Sequence, residues 1–224
     1  MQSVAKDRVL VDIETQRDFF CPGGSCYSPR SLGVLKQIYR LFNWAREWEI
    51  PVLSTVLRVR RHERGPLAET PHCIEGTWGE GKLPRTALPE RINLGIRLTT
   101  DLPYNILDHY RQVIIEKRDT DLFAHPRAER LITELPATTM VLCGAGVAKS
   151  ISQAAIGLRA RGFGVILAED AVLDLDDRQA AMARMRMEAK GVVFAPTSEI
   201  VAPRPSRRPV PLRQAASLHR VEKT

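Results

Sequence analysis

The stretch TMVLCGAGVAKSISQAAIGLRARGFGVILA, residues 139–168, decides the fold class of this chain. It begins with a short apolar run, passes through a glycine-containing turn into a helical pattern over 148–161, and ends in a second apolar run at 164–168. A buried strand, a helix and a second buried strand in this order form a βαβ unit, in which the two strands are parallel.

Other parts of the chain repeat this arrangement. Short apolar runs with the length of buried strands lie at residues 8–13, 51–57, 112–116 and 191–195, and helical patterns lie at 32–49, 127–135 and 178–190. Strands that are apolar on both faces and alternate with helices predict a doubly wound parallel sheet in a three-layer α/β/α sandwich. Functional side chains in such folds gather at the carboxyl ends of the strands.

Length and charge predict one folded domain with a basic appendage. The chain has 224 residues and a formal net charge of +7. We place one domain at residues 1–201 and a disordered Pro/Arg-rich tail at 202–224. The tail carries six Lys or Arg residues and one Glu, and therefore holds +5 of the +7. Because the predicted body is nearly neutral, we do not expect nucleic acid as a partner.

Hydropathy and cysteine content indicate the compartment. No apolar run approaches the roughly 20 residues of a membrane-spanning helix. The N-terminal segment has only a short apolar stretch, interrupted by Asp12 and Glu14, and resembles no secretory signal. We therefore expect a cytoplasmic protein without a membrane partner, whose four cysteines stay reduced.

The turn after residue 143 does not predict nucleotide binding. A dinucleotide-binding fingerprint needs a third glycine where Lys149 stands, and a Walker A loop needs glycine at Cys143 and Ala148. The turn does open a helix, so its backbone N–H groups at Ala148 and Lys149 are candidates to stabilise an oxyanion. Ser150 lies in the same first turn, either as a simple polar residue or at the position of a nucleophile.

Two charged residues also end predicted strands at this edge. Asp12 lies at the end of the first run, and Lys117 directly follows the run at 112–116. Together with Ser150, they place a carboxylate, an ammonium and a hydroxyl in one crevice, which suits acid–base chemistry. Asp12 and Lys117 could equally form a structural ion pair.

Four segments of the chain resemble the isochorismatase-like hydrolase superfamily, which includes nicotinamidases, N-carbamoylsarcosine amidases and isochorismatases. The first is VDIETQRDFFCPGGS, similar to a D-x-Q-x-D-F…P-G-G opening with two additional residues. The others are PHCIEGTWGE, EKRDTDLF and GAGVAKSISQAAIGLRARGFGVILAEDAV, at residues 71–80, 116–123 and 144–172. The resemblance extends over residues 8–201 and implies the same three-layer fold.

The resemblance implies a catalytic set of an aspartate, a lysine and a cysteine. Asp12 and Lys117 take the first two places, and the cysteine position falls on Ser150. The threonine and acidic positions before it are Val147 and Ala148, so this neighbourhood also departs from the family pattern.

The resemblance also bears on metals and on the substrate pocket. The D-x-H pattern of the metal-binding members is missing after the second strand, and only His72 remains as a potential ligand, so we predict no metal and no other cofactor. His72 is then a hydrogen-bonding loop residue, and with Phe19 and Trp78 it is assigned to the substrate pocket. Cys143, at a strand end, is interpreted as a small buried apolar residue.

Three functions remain open at this point. The chain is a hydrolase that uses Asp12 as a general acid on a vinyl ether, or an amidase that uses Ser150 slowly, or a non-catalytic protein that binds a small molecule in the retained pocket. Serine is much harder to ionise than cysteine, so cysteine-type catalysis is expected to be lost or altered. The aromatic residues of the first long helix suggest a homo-oligomer.

Overall fold

The computed structural model describes residues 7–65 and 67–202. The predicted tail therefore lies almost entirely outside the described residues. Seven strands form one parallel sheet in the order β3-β4-β2-β1-β5-β6-β7. They are β1 (Arg8–Ile13), β2 (Val52–Leu57), β3 (Arg91–Asn93), β4 (Gln112–Lys117), β5 (Thr139–Ala145), β6 (Gly164–Leu173) and β7 (Val193–Ala195).

Helices cover both faces of the sheet. They are α1 (Arg17–Phe20), α2 (Arg30–Glu47), α3 (Ile106–His109), α4 (Pro126–Glu134), α5 (Ser152–Ala160), α6 (Asp177–Ala189) and α7 (Thr197–Ile200). Buried residues of α1, α2 and α7 pack in one core, and those of α3, α4, α5 and α6 pack in the other. The three-layer α/β/α fold is confirmed.

The predicted elements agree closely with the structure. The short strand β3 is absent from the prediction, because three half-exposed residues carry no apolar run. Among the described residues, no helix is long and apolar enough to cross a membrane. Trp44 is buried, and Trp48 leaves 46% of its surface exposed at the end of α2. Contact with a second subunit stays a prediction.

The strand order sets the position of the functional crevice. The chain leaves β1 toward β2 on one side and returns to β5 on the other, so the strand order reverses between β1 and β5. Ligand sites of open α/β sheets lie at such a reversal, beyond the carboxyl ends of the strands. Gly144 allows the closest approach there, because a Cβ at this position would overlap the carbonyl oxygen of Ile13.

Candidate functional site at the carboxyl edge of the sheet

A buried ion pair of Lys117 and Glu14 occupies the carboxyl edge. The Lys117 Nζ donates to Glu14 Oε1 at 2.6 Å, and also to the carbonyl oxygens of Asp119 at 2.7 Å and Thr120 at 3.1 Å. Both side chains of the pair are only 2% exposed. The three acceptors fix the ammonium at the end of β4, where it is a localised positive charge beside a carboxylate.

Glu14 reaches Lys117 because the backbone turns sharply after β1. Its φ is +52°, in the left-handed region that residues other than glycine rarely adopt. Its N–H donates to the carbonyl oxygen of Thr55 at 3.2 Å, which ties this turn to the end of β2. No described residue donates a hydrogen bond to Glu14 Oε2, so that oxygen is available to a ligand or a reacting group.

Asp12 is not the partner of Lys117, which corrects the pairing expected from the sequence. The Asp12 side chain is fully buried and forms an ion pair with Lys82. In β1, Asp12 lies on the same face as Leu10, which packs in the α2-side core. In β4, Lys117 lies on the same face as Val113 and Ile115, which pack in the opposite core. Strand β2 also lies between them. The structure shows no ion pair between Asp12 and Lys117.

The sequence contains a signal that identifies Glu14. Gln16, Asp18 and Phe19 match the last three positions of the D-x-Q-x-D-F pattern. Counting two residues back from Gln16 leads to Glu14, without the additional residues that an alignment on Asp12 requires. Because position 14 is a glutamate where the pattern has an aspartate, aligning the pattern on the nearest aspartate selects Asp12 instead.

Ser150 lies in the turn that follows β5, at the switch point of the sheet. A π-helical turn, Val147–Ile151, follows β5 and leads into α5. Gly146 precedes the turn with a φ of +83°, a backbone conformation suited to glycine. Ser150 is 2% exposed, and its hydroxyl makes no hydrogen bond to any described residue. This hydroxyl is therefore uncommitted, unlike most buried polar groups.

The two N–H groups proposed as oxyanion donors are engaged within the protein. Ala148 N donates to Asp174 Oδ2 at 3.1 Å, and Lys149 N donates to the carbonyl oxygen of Gly146 at 3.2 Å. Burial raises the pKa of Asp174, although its hydrogen bonds from backbone N–H groups act in the opposite direction. An oxyanion at Ala148 would have to displace the Asp174 carboxylate.

The three residues assigned to the substrate pocket differ in their surroundings. Phe19 is buried, and its ring meets that of His72 edge to face, with 5.2 Å between centroids. The His72 Nδ1 lies 2.5 Å from the carbonyl oxygen of Thr70, within its own loop. Trp78 is 52% exposed, and the Arg17 guanidinium stacks over its ring at 5.4 Å. Whether they touch a ligand stays a prediction.

Asp18 joins the loops that carry these residues. Its carboxylate accepts hydrogen bonds from the N–H of Ser25 at 3.0 Å and from the N–H of Cys73 at 2.6 Å. It also packs against Gly79, where a Cβ would overlap the carboxylate. Gln16 holds the same region, since its amide donates to the carbonyl oxygens of Leu57 and Glu80. Gln16 and Asp18 thus connect the segment after β1 to the neighbouring loops through hydrogen bonds.

None of the four cysteines is activated. Burial raises the pKa of Cys21 and Cys26, and it raises the pKa values of Cys73 and Cys143 well above the ordinary thiol value. Negative charges add to this effect, from Glu14 at Cys73 and from Asp12 at Cys143. A nucleophilic thiolate needs the opposite environment, with cations or a helix N-terminus nearby.

The end of β2 carries a cation where metal-binding relatives are expected to have ligands. Arg58 forms ion pairs with Glu80 at 2.5 Å and with Glu116 at 2.7 Å. Within residues 7–65 and 67–202, no group of three or more His, Cys, Asp or Glu side chains is arranged to hold a metal ion. Both glutamates at this position are committed to the guanidinium.

Comparisons with known proteins agree with this architecture. Residues 103–199 match the family described as Isochorismatase domain. No curated protein sequence matches the chain. Nicotinamidase PncA from Bacillus subtilis has a similar structure, with a TM-score of 0.66 and 20% identity over 84% of this chain and 99% of that chain.

Two further solved structures are also similar. An isochorismatase-like hydrolase from Alkaliphilus metalliredigens has a TM-score of 0.67 and 18% identity, covering 87% of this chain and 97% of its own. N-carbamoylsarcosine amidase from Thermoplasma acidophilum has a TM-score of 0.65 and 14% identity, covering 85% and 96%. The matched domain and these structures show that this chain has the fold of the isochorismatase-like hydrolases, and they support the resemblance of residues 11–25 and 144–172 to that superfamily.

Proposed function

We propose that this chain binds a small carbonyl-containing molecule at the crevice between β1 and β5, and that cysteine-nucleophile catalysis is lost or altered. The observation that carries this proposal is that the chain has no cysteine with a lowered pKa near the proposed site. By motif, Ser150 stands at the cysteine position, and burial raises the pKa of every cysteine in the chain. None of the four cysteines therefore has the lowered pKa that a nucleophilic thiolate needs.

The charges at the crevice indicate the class of ligand. Lys117 supplies a fixed positive charge, and Glu14 Oε2 is a hydrogen-bond acceptor without a protein donor. The three hydrogens of the Lys117 ammonium are already donated within the protein, so Glu14 Oε2 is the group that can contact a ligand, and the N–H donors of a planar amide complement it. The similar structures include a nicotinamidase and an N-carbamoylsarcosine amidase, whose names indicate amide substrates.

A second candidate function is slow hydrolysis that depends on Ser150. It is favoured by two uncommitted groups, the Ser150 hydroxyl and Glu14 Oε2. In this reaction the Ser150 oxygen bonds to the carbonyl carbon while its proton passes to Glu14, which then protonates the leaving amine. Water hydrolyses the acyl-serine in a second step. Acid-catalysed cleavage of a vinyl ether would also use Glu14 rather than Asp12, since Asp12 is fully buried.

Binding and turnover assays separate these functions. Nicotinamide, simple aliphatic amides and isochorismate are offered to the purified protein, and binding is followed by calorimetry. Binding without turnover above a Glu14→Gln control supports the first proposal. Turnover that disappears in Ser150→Ala supports the second. If none of these compounds binds or reacts, both proposals fail for this ligand class.

A gain-of-function variant tests whether only the nucleophile is missing. Ser150→Cys places a thiol near the N-terminus of the helix that follows β5, and we expect it to create amidase activity. Ser152→Cys is the matched control, because Ser152 lies two residues further and its hydroxyl bonds the carbonyl oxygens of Ala148 and Lys149. Equal activity in both variants, or in neither, would contradict an otherwise intact site.

A further inference from the structure

A second buried ion pair, Asp12 with Lys82, lies below the crevice and is not explained by ligand binding. Asp12 Oδ2 accepts from the Lys82 ammonium and from the Ser54 hydroxyl at 2.7 Å, and Asp12 Oδ1 has no hydrogen-bond partner among the described residues. Gln112 donates to Ser54 Oγ at 2.7 Å, which extends the contact to β4. Asp12 is thus anchored to the strands and inaccessible to a ligand.

The pair is connected to the crevice through Thr15. The Lys82 ammonium donates to Thr15 Oγ1 at 2.8 Å, and the Thr15 hydroxyl donates to Asp12 Oδ2 at 3.2 Å. A backbone hydrogen bond joins the same two segments, because Leu83 N donates to the carbonyl oxygen of Thr15 at 3.0 Å. Thr15 directly follows Glu14, so the contacts among Asp12, Lys82 and Thr15 fix the backbone one residue beyond the left-handed turn.

The turn at Glu14 needs such support. A left-handed conformation at a residue other than glycine costs about 1–2 kcal/mol, and such strain persists only where the surroundings hold it. The Glu14–Lys117 contact contributes little to this by itself, because a buried ion pair gains little net stability after desolvation. Asp12 and Lys82 also contribute little net stability for the same reason, which favours a positional role for them.

We propose that Asp12 and Lys82 are positioning residues that act through the Thr15 hydroxyl to hold Glu14 in the left-handed turn beside Lys117. This inference rests on the proposed function, in which Glu14 and Lys117 form the ligand site. It assigns the two carboxylates of the first motif to different tasks. Glu14 faces the ligand, and Asp12 fixes the direction in which Glu14 points.

A matched pair of variants at Thr15 tests the connection. Thr15→Val keeps the shape and removes the hydroxyl, whereas Thr15→Ser keeps the hydroxyl. We expect the crystal structure of Thr15→Val to show Glu14 out of contact with Lys117, with a negative φ, and that of Thr15→Ser to keep both features. Retention of the turn and of the contact in Thr15→Val overturns the inference.

Hydrogen exchange gives a second measurement that does not depend on crystals. The amide of Glu14 is bonded to Thr55, and we expect its exchange in Lys82→Met to rise by about tenfold, or about 1.4 kcal/mol of local opening. Amides in the middle of α5 should not change. Unchanged exchange at Glu14 overturns the inference. The measurement on Lys82→Met also tests the inference if Thr15→Val fails to fold.

These readouts separate the inference from the function on which it rests. Both report the conformation of Glu14 without any ligand. If Glu14 is released in Thr15→Val but the unmodified protein binds none of the amides, the positioning role stands and the proposed function fails. If the amides bind equally well to the unmodified protein and to Thr15→Val, the function stands and the positioning role fails.

Discussion

Asp12 and Glu14 are two carboxylates separated by one residue, and each is paired with a lysine, yet the two pairs have different surroundings. Asp12 lies within β1, and its pair with Lys82 is embedded among hydroxyl and amide groups on the α2 side of the sheet. Glu14 lies beyond the strand, and its pair with Lys117 is at the carboxyl edge, which is where open α/β sheets generally bind their ligands.

The difference shows how the end of a strand can give two neighbouring carboxylates different directions and different partners. Within β1, strand alternation determines the direction of the Asp12 side chain. The left-handed backbone at Glu14 interrupts this alternation and lets the next carboxylate reach the neighbourhood of β4. Variants that affect one pair, or the contacts around it, can therefore test whether the two pairs really have different tasks.

Loss of either lysine should give the largest effect, and the two losses should differ. Lys117→Met leaves the Glu14 carboxylate buried without its cation, which costs about 3–5 kcal/mol of unfolding free energy. Lys82→Met should cost less, because Ser54 and Thr15 still donate to Asp12. Denaturant unfolding at pH 7 measures both.

A double variant is the control for this comparison. Glu14→Gln combined with Lys117→Met removes both charges, and it should recover much of the stability lost in Lys117→Met. No recovery would mean that the cost comes from packing rather than from an uncompensated charge.

The close approach of β5 to β1 can be broken at Gly144. Gly144→Ala should cost about 1–3 kcal/mol of unfolding free energy, because the added methyl group overlaps the carbonyl oxygen of Ile13 and φ is +125°. Gly33→Ala is the control, since Gly33 lies within α2 with open space around it, and alanine favours helices. A neutral Gly144→Ala would show that the strand ends can separate without cost.

A smaller effect should follow from weakening the anchor of Asp12. Ser54→Ala removes a hydroxyl that donates to Asp12 and accepts from Gln112, and it should cost about 1 kcal/mol. Ser152→Ala, which loses only hydrogen bonds to carbonyl oxygens of its own helical turn, should be close to neutral. Equal losses in thermal unfolding would contradict an anchoring role for Ser54.

The smallest effect concerns the carboxylate that bonds the turn before Ser150. Because burial raises the pKa of Asp174 in the folded state, the folded protein binds this proton more tightly than the unfolded chain. The resulting stabilisation is present below the unfolded pKa of about 3.9 and is lost as the pH rises through the folded value.

Asp174→Asn removes this pH dependence and keeps an acceptor for Ala148 N. The variant should therefore be slightly more stable than the unmodified protein at pH 7, and the advantage should shrink as the pH falls toward 4. Unfolding midpoints at several pH values measure it. A variant that is less stable at pH 7 would show that the ionised Asp174 supports the turn.

The sequence predicts the layers of this fold well, since continuous apolar runs such as residues 139–143 leave little choice but a buried strand. It also identifies Lys117 at the end of a strand and Ser150 in the helical turn that follows the next strand along the chain. It does not show that Asp12 and Lys117 lie on different sides, because that depends on strand order and on the turn at Glu14. Lys82 is likewise absent from the prediction, since a loop lysine has no periodic signal.

The two outermost strands limit how this protein can associate with copies of itself. β3 and β7 each have three residues, so both margins of the sheet offer few free backbone groups to another chain. Short margins disfavour an assembly that continues the sheet across molecules, as in fibrils. A symmetric dimer, if the protein forms one, would instead be built from helix surfaces such as the end of α2 that carries Trp48.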